Sequence, residues 1–290
     1  MRTILENKAK KINTGTISAG DVWELAKQVK QLHPLVHCIT NAVTVNDCAN
    51  IVLALGASPT MAHHPQEVEE ITAGAASLVC NLGATDDFSS MLLSGKTAHE
   101  MGKPIILDPV GVSGSTYRRE WCLDFIKKVR PTCIRGNYSE IRALMENRST
   151  IIGVDAAQNS EGETASFSDE MMRFAKEQDT ILVASGRVDW ITDGISCYQV
   201  KNGQETMAKI TGSGCMSSVL MGAFFSAEQS IKAAVATCVW MGISGELAYE
   251  KTRKEQGGTM TFRMKLIDAI SLMDAKDIQE KMKLCMVEEG

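Results

Sequence analysis

The chain is poor in aromatic residues. They make up 5% of its 290 residues, too few for the base-stacking platforms of single-strand nucleic-acid binders. It has no basic run, and its formal net charge is -5, which argues against nucleic acid as a partner. Its 6 prolines form no linker, and no low-complexity segment or internal repeat divides it. No stretch approaches the roughly 18 consecutive apolar residues of a membrane span. The opening residues MRTILENKAKKINTG are basic but lack the apolar core of a secretory signal. No CxxC pair and no Cys/His spacing suited to zinc occurs. The 9 cysteines are odd in number and scattered. Most of them read as small buried hydrophobes in a reducing cytoplasm.

Two nucleotide signatures are also missing. A GxGxxG fingerprint after a strand is absent, which weakens a dehydrogenase reading. Ser94-Gly95-Lys96-Thr97 resembles the end of a phosphate loop. That loop needs a glycine five positions before Gly95, and Ser90 stands there. His63-His64 precedes Pro65 with no third ligand nearby, so the pair reads as solvated or capping rather than metal-binding.

What is present is an ordinary globular composition, 44% hydrophobic and 22% charged. A chain this long buries about three quarters of its unfolded surface and needs no disulfide or metal to hold a core. Short apolar runs alternate with helical patterns. SLVCNLG (77–83), PIILDPVG (104–111), TCIRG (132–136) and TILVASG (180–186) read as buried strands. Val45, Cys48, Ala49, Val52 and Leu53 fall at helical spacing, with Gly56 as the stop. Phe88, Met91 and Leu92 mark another helix. Trp121, Phe125 and Val129 mark a third, and SDEMMRFAKEQ (168–178) a fourth. DWITDG (189–194) and SCYQVKNG (196–203) predict an antiparallel ribbon with turns at Asp193-Gly194 and Asn202-Gly203. The last 80 or so residues read as mostly helical. This alternation implies right-handed βαβ units, hence an α/β fold with a mainly parallel sheet and helices on both faces. Its binding crevice should lie beyond the carboxyl ends of the strands.

Candidate residues cluster where that crevice is expected. Thr211-Gly212-Ser213-Gly214-Cys215 opens an apolar helical run. Its amides, from Gly212 to Cys215, can hold an anion at a helix N-terminus, or the glycines can simply cap the helix. A thiol in that first turn should have a pKa below its free value. Asp108, ending a strand, can hold Mg²⁺ directly or through water, or serve as a turn residue. Asn137 and Glu140 fit a capping box and equally a metal and phosphate contact. Arg135 is a permanent cation suited to phosphate oxygens.

Taken together, several segments resemble the hydroxyethylthiazole kinase family. They are HCITNAVTVNDCANIVLALGASPTMAHHPQEV (37–68), ILDPVGVSG (106–114), IRGNYSEI (134–141), VASGRVDWITDG (183–194) and TGSGCMSSVLMGAF (211–224). The resemblance implies a three-layer ribokinase-like fold. It implies transfer of the ATP γ-phosphate to 4-methyl-5-(2-hydroxyethyl)thiazole in thiamine salvage, with Mg²⁺ as cofactor. It also implies homotrimers with active sites between subunits. By the same resemblance, Asn41, Val43, Met61 and Gly212 would contact the thiazole, and Arg135, Asn137 and Ser185 the ATP. Glu140 and Asp108 would serve the metal. Cys215 stands where most ribokinase-like enzymes carry an aspartate base. Ser185 and Ser213 replace the family's common threonines, and both keep a hydroxyl.

Residues 1–20 read as an extension of unknown role and 21–290 as one kinase domain. The rivals are a hydroxymethylpyrimidine kinase and a non-catalytic thiazole- or nucleotide-binding protein. Cys215 and the GASPTM block favour the thiazole over the first. The metal and phosphate residues argue against the second.

Overall fold

A computed structural model describes residues 16–146 and 161–287. A nine-stranded sheet forms its middle layer, in the order β2-β1-β3-β4-β5-β6-β7-β8-β9. The strands are β1 (Leu35–Ile39), β2 (Ser58–Thr60), β3 (Ser77–Asn81), β4 (Ile105–Asp108) and β5 (Cys133–Asn137). They continue with β6 (Ile181–Ser185), β7 (Asp189–Thr192), β8 (Cys197–Val200) and β9 (Leu284–Met286). The first six run parallel, and β7, β8 and β9 add antiparallel pairs. Strand β3 is buried along its whole length, which explains its unbroken apolar run. Pro59 sits on β2 at the sheet's edge, where its missing N–H costs no ladder bond.

Helices cover both faces. One face carries α1 (Ala19–Leu32), α2 (Val45–Leu55), α8 (Ser213–Ala227), α9 (Ile231–Lys254), α10 (Thr259–Leu272) and α11 (Ala275–Lys281). The other carries α3 (Val68–Gly74), α4 (Phe88–Glu100), α5 (Thr116–Val129), α6 (Tyr138–Met145) and α7 (Glu161–Gln178). The expected three-layer α/β arrangement is therefore present. Helix α9 is long and apolar enough by composition to cross a membrane, yet 78% of its apolar window is buried in the protein. It is a core helix packed on α8 and α10.

Local chemistry sets the ends. Ser18 and Asp21 form a capping box at the start of α1. Ile17 is buried in the core. The packed domain thus takes in residues ahead of 21; most of the expected 1–20 extension lies outside the described residues. Gly56 ends α2 with φ 101°, a conformation that glycine alone adopts without penalty. The Ser94–Thr97 stretch lies inside α4, so it forms no phosphate loop.

One expected turn is absent. Asn202 is buried, and it donates to the Lys281 carbonyl at 2.7 Å and accepts from Lys283 N–H at 2.8 Å. It anchors the C-terminal segment instead of closing a hairpin. Strand β9 also escaped the helical reading of the last residues. At three residues on an edge, it is too short to show a pattern.

Candidate active site

The sheet changes direction between β1 and β3: β2 lies on one side of β1, and all later strands lie on the other. In such sheets the crevice opens beyond the carboxyl ends at this switch point. The carboxyl ends of the strands bring Asn81 beside Asp108 and Asn137 beside Ser185.

Helix α8 begins at this edge. Its N-cap is Gly212 with φ 84°, and no side chain caps it. A Cβ at Gly212 would lie 2.6 Å from Thr44 Cγ2, so glycine is needed for both conformation and space. The first helical bond runs from Met216 N–H to the Gly212 carbonyl. The amides of Ser213, Gly214 and Cys215 come before it, as the unsatisfied donors of a helix start. The helix dipole adds partial positive charge there. Beneath the loop lies Arg135 on β5; a Cβ at Gly214 would stand 3.0 Å from its Nη1. Arg135 Nε is buried with no hydrogen-bond partner among the described residues. An anion above the loop would meet amides and a guanidinium together.

Cys215 sits in a network of amides. Asn81 Nδ2 donates to its Sγ at 3.2 Å and Asn41 Nδ2 at 3.5 Å. Asn81 Nδ2 also donates to Asp108 Oδ2 at 2.8 Å, and Ser218 Oγ donates to the same oxygen at 2.8 Å. Asn81 Oδ1 accepts from Gly83 N–H at 2.9 Å and from Asn41 Nδ2 at 3.3 Å. Both hydrogens and both lone pairs of the Asn81 amide are therefore used. Asn41 Oδ1 in turn accepts from Val43 N–H and Thr44 Oγ1, which shapes the turn before α2.

One expectation is corrected here. The Cys215 thiol is pushed up from its ordinary value, not down. Burial is the main cause and the Asp108 carboxylate the second; hydrogen bonds from Thr44, Asn81 and Asn41 offset only part of this. Desolvation thus outweighs the hydrogen bonds that reach the thiol. Asp108 is 2% exposed, and Asn81 and Ser218 both donate to its Oδ2, so its carboxyl group is linked to Cys215 through the Asn81 amide. Burial raises its pKa to about 7, against the opposing pull of Arg135.

Asn137 and Glu140 form the expected capping box on α6. Glu140 Oε2 accepts from Asn137 N–H and Oε1 from Gly111 N–H, each at 2.9 Å. Glu140 thereby ties the turn after β4 to the turn after β5. Ser185 Oγ donates to the Gly136 carbonyl at 3.2 Å, at the same edge. Among the described residues, the side chains of His63 and His64 bond only within their own loop, in keeping with capping roles.

The thiazole residues are less tightly grouped. Met61 is half-buried on the face that carries α8. Val43 is 75% exposed. The sequence reading overlooked Asn81, Thr44 and Ser218. The signal for Asn81 was available: like Asp108, it is a polar residue ending a buried strand. A cavity of about 400 Å³ is lined by Thr206, Lys209, Tyr249, Arg253, Gly258 and Thr259, among others.

Comparison with known proteins agrees with this geometry. The model of the Hydroxyethylthiazole kinase family matches residues 26–276. Hydroxyethylthiazole kinase 1 of Methanosphaera stadtmanae is 38% identical over 275 residues, covering 91% of this chain and 96% of that protein. The structure of a hydroxyethylthiazole kinase from Pyrococcus horikoshii aligns with a TM-score of 0.82 at 35% identity, over 92% of this chain and 99% of the other. A ribokinase-like superfamily protein from Enterococcus faecalis aligns at 0.57 with 11% identity, over 91% and 96% of the chains. That likeness concerns the fold alone.

Proposed function

The chain belongs to the hydroxyethylthiazole kinase family, and from that premise we propose how its residues divide the reaction. It is a phosphotransferase that moves the γ-phosphoryl group of ATP to the hydroxyl of hydroxyethylthiazole, an activity consistent with thiamine salvage. The observation that carries our assignment is the uncapped start of α8 above the unpartnered Arg135 Nε.

The amides of Ser213, Gly214 and Cys215, with Arg135, hold the transferred phosphoryl group. Phosphoryl transfer runs through a loose transition state, so positioning and charge stabilisation supply most of the rate. Ser185 and Asn137, side by side on neighbouring strands, contact the nucleotide. Lys209 is two residues before Thr211, so the cavity beside it can take the outer part of the nucleotide, with Lys209 and Arg253 as cations.

Mg²⁺ fits the donor set at Glu140. Both carboxylate oxygens already accept a backbone N–H but retain lone pairs. Among the described residues no group of three or more acidic, cysteine or histidine side chains forms a protein cage. That suits an ion held through waters and substrate phosphates. Bound there, Mg²⁺ would neutralise charge on the phosphates. Glu140 and Asn137 would orient it, with Asp108 as a further ligand, directly or through water.

The thiazole packs on Met61, with Asn41 and Val43 at its side and Gly212 at its hydroxyethyl end. A thioether and an aliphatic group suit a small apolar ring. Cys215 faces the hydroxyl. Only its thiolate form can take the hydroxyl proton, and burial keeps that form scarce; a loose transition state, which needs little proton removal early, tolerates this.

We further propose a homotrimer with sites completed between subunits. Its support is an apolar surface on α2 and α10, which pack together: Leu53, Met260 and Met264 are exposed there, with Val43 just ahead of α2. All nine cysteines are free, which supports a reducing cytoplasm.

The test is a crystal structure with a non-hydrolysable ATP analogue, Mg²⁺ and the thiazole. The γ-phosphate is expected at the 213–215 amides with Arg135 beside it. A nucleotide bound away from that loop would refute the assignment.

A further inference from the structure

The segment that carries Met61 is an irregular stretch between β2 and α3, yet its carbonyls are bonded one after another. His63 Nδ1 lies 3.3 Å from the Met61 carbonyl. His37 Nε2 donates to the Ala62 carbonyl at 2.8 Å. Ser90 Oγ donates to the His63 carbonyl at 2.6 Å. The His64 carbonyl accepts from Glu67 N–H and Val68 N–H. Of these partners, His37 reaches across from the strand next to the sheet's edge. It lies on β1, opposite Thr60 of β2 in the pairing register, and it is completely buried.

The bonds of His37 leave little freedom. A carbonyl can only accept, so Nε2 carries the hydrogen that reaches Ala62. Nδ1 lies 2.9 Å from Thr72 Oγ1 on α3. Burial pushes the His37 pKa down, so the ring is neutral, Nε2 holds its one hydrogen and Nδ1 can only accept; the Thr72 hydroxyl has a single hydrogen to divide between Nδ1 and the Val68 carbonyl at 2.6 Å. The imidazole is therefore locked in one tautomer between α3 and the Met61 segment. Lys103 holds the same helix from its far end, donating through Nζ to the Thr72 carbonyl at 3.1 Å and the Ala75 carbonyl at 2.5 Å. His37 faces the α3 side of the sheet and touches neither the glycine loop nor the nucleotide residues. Met61 leans to the opposite side, against the core that includes α8.

We infer that His37 is a positioning residue for the thiazole pocket, fixing the backbone at Ala62 so that the Met61 side chain meets the ring. This rests on the reading that Met61 packs on the thiazole. The bond to Ala62 is the one that matters for function. The bond to Thr72 only aims the ring.

A pair of substitutions separates the two bonds. In His37→Gln the side-chain amide nitrogen stands near the position of Nε2 and keeps the bond to Ala62. In His37→Asn the shorter amide stands near Nδ1, keeps Thr72 in reach and loses Ala62. Both variants, with Met61→Ala, are assayed for the Michaelis constants of hydroxyethylthiazole and ATP. The Asn variant should raise the constant for the thiazole about tenfold, the worth of one buried hydrogen bond, with that for ATP little changed. The Gln variant should stay within about threefold of the parent. Equal behaviour of the Gln and Asn variants, or equal loss for both substrates, would overturn the inference and leave His37 as a packing residue. A defective Met61→Ala enzyme beside a normal Asn variant overturns it alone. A normal Met61→Ala enzyme removes the pocket reading, and the inference with it.

Discussion

Asn81 and Cys215 meet across 134 positions of sequence, through a bond from Asn81 Nδ2 to Cys215 Sγ at 3.2 Å. The same amide nitrogen holds Asp108. One side chain thus joins the ends of β3 and β4 to the first turn of α8. The thiol is kept neutral by burial and by the carboxylate on the far side of that amide.

Cys215→Ala should therefore slow turnover without abolishing it. A positioned base is usually worth about 10²–10⁴-fold, and a thiol that is scarcely ionised should give less. ATP affinity should stay near that of the parent. Cys215→Asp should remain active, with its rate rising toward alkaline pH because burial and Asp108 also hold up a carboxyl placed there. Steady-state turnover against pH measures both. An inert Asp variant beside a fully active Ala variant would make Cys215 a packing residue only.

Arg135→Ala should weaken ATP by about ten- to hundredfold, the worth of a charge-assisted bond, and leave thiazole affinity nearly intact. Titration calorimetry with each ligand decides it. A collapse of thiazole binding with ATP binding unchanged would place Arg135 in the wrong subsite.

Gly212→Ala should lose stability and most activity together. The left-handed backbone costs about 1–2 kcal/mol for any other residue, and the new Cβ would strike Thr44 Cγ2. Melting temperature and turnover should both fall. A variant with parental values of each would show that the loop is not held as described.

Asp108 gives a pH signature. Its pKa in the folded protein is raised from 3.8 to about 7. Between those values the unfolded chain has released the proton while the fold still holds it, so the stability contributed by Asp108 falls as pH rises from about 4 to about 7. Asp108→Asn keeps an acceptor for Asn81 and Ser218 and cannot ionise. Relative to the parent, its melting temperature should improve as pH rises through that window. A difference that stays flat with pH would mean that Asp108 is not buried as a carboxyl group.

The layers of this fold were readable because parallel strands buried on both faces, such as β3 and β6, leave unbroken apolar runs. Strand β1 was harder to see, since a fully buried histidine interrupts it. The three-residue strands β2 and β9 are shorter than any periodicity. The glycine loop was visible through its spacing and its apolar helix. The sign of the Cys215 shift was not. It depends on the burial of Asp108, which lies 107 positions away in sequence and is brought close only by the sheet. Ser218 was hidden for the same reason: it is an ordinary helix serine until the fold aims it at Asp108.

The most direct test of the account is product formation by the purified enzyme with ATP and Mg²⁺, comparing hydroxyethylthiazole with hydroxymethylpyrimidine at equal concentration. The account predicts rapid phosphorylation of the thiazole and little of the pyrimidine, with activity lost on chelation and restored by Mg²⁺. Preferential phosphorylation of the pyrimidine, or ATP turnover indifferent to the thiazole, would contradict it.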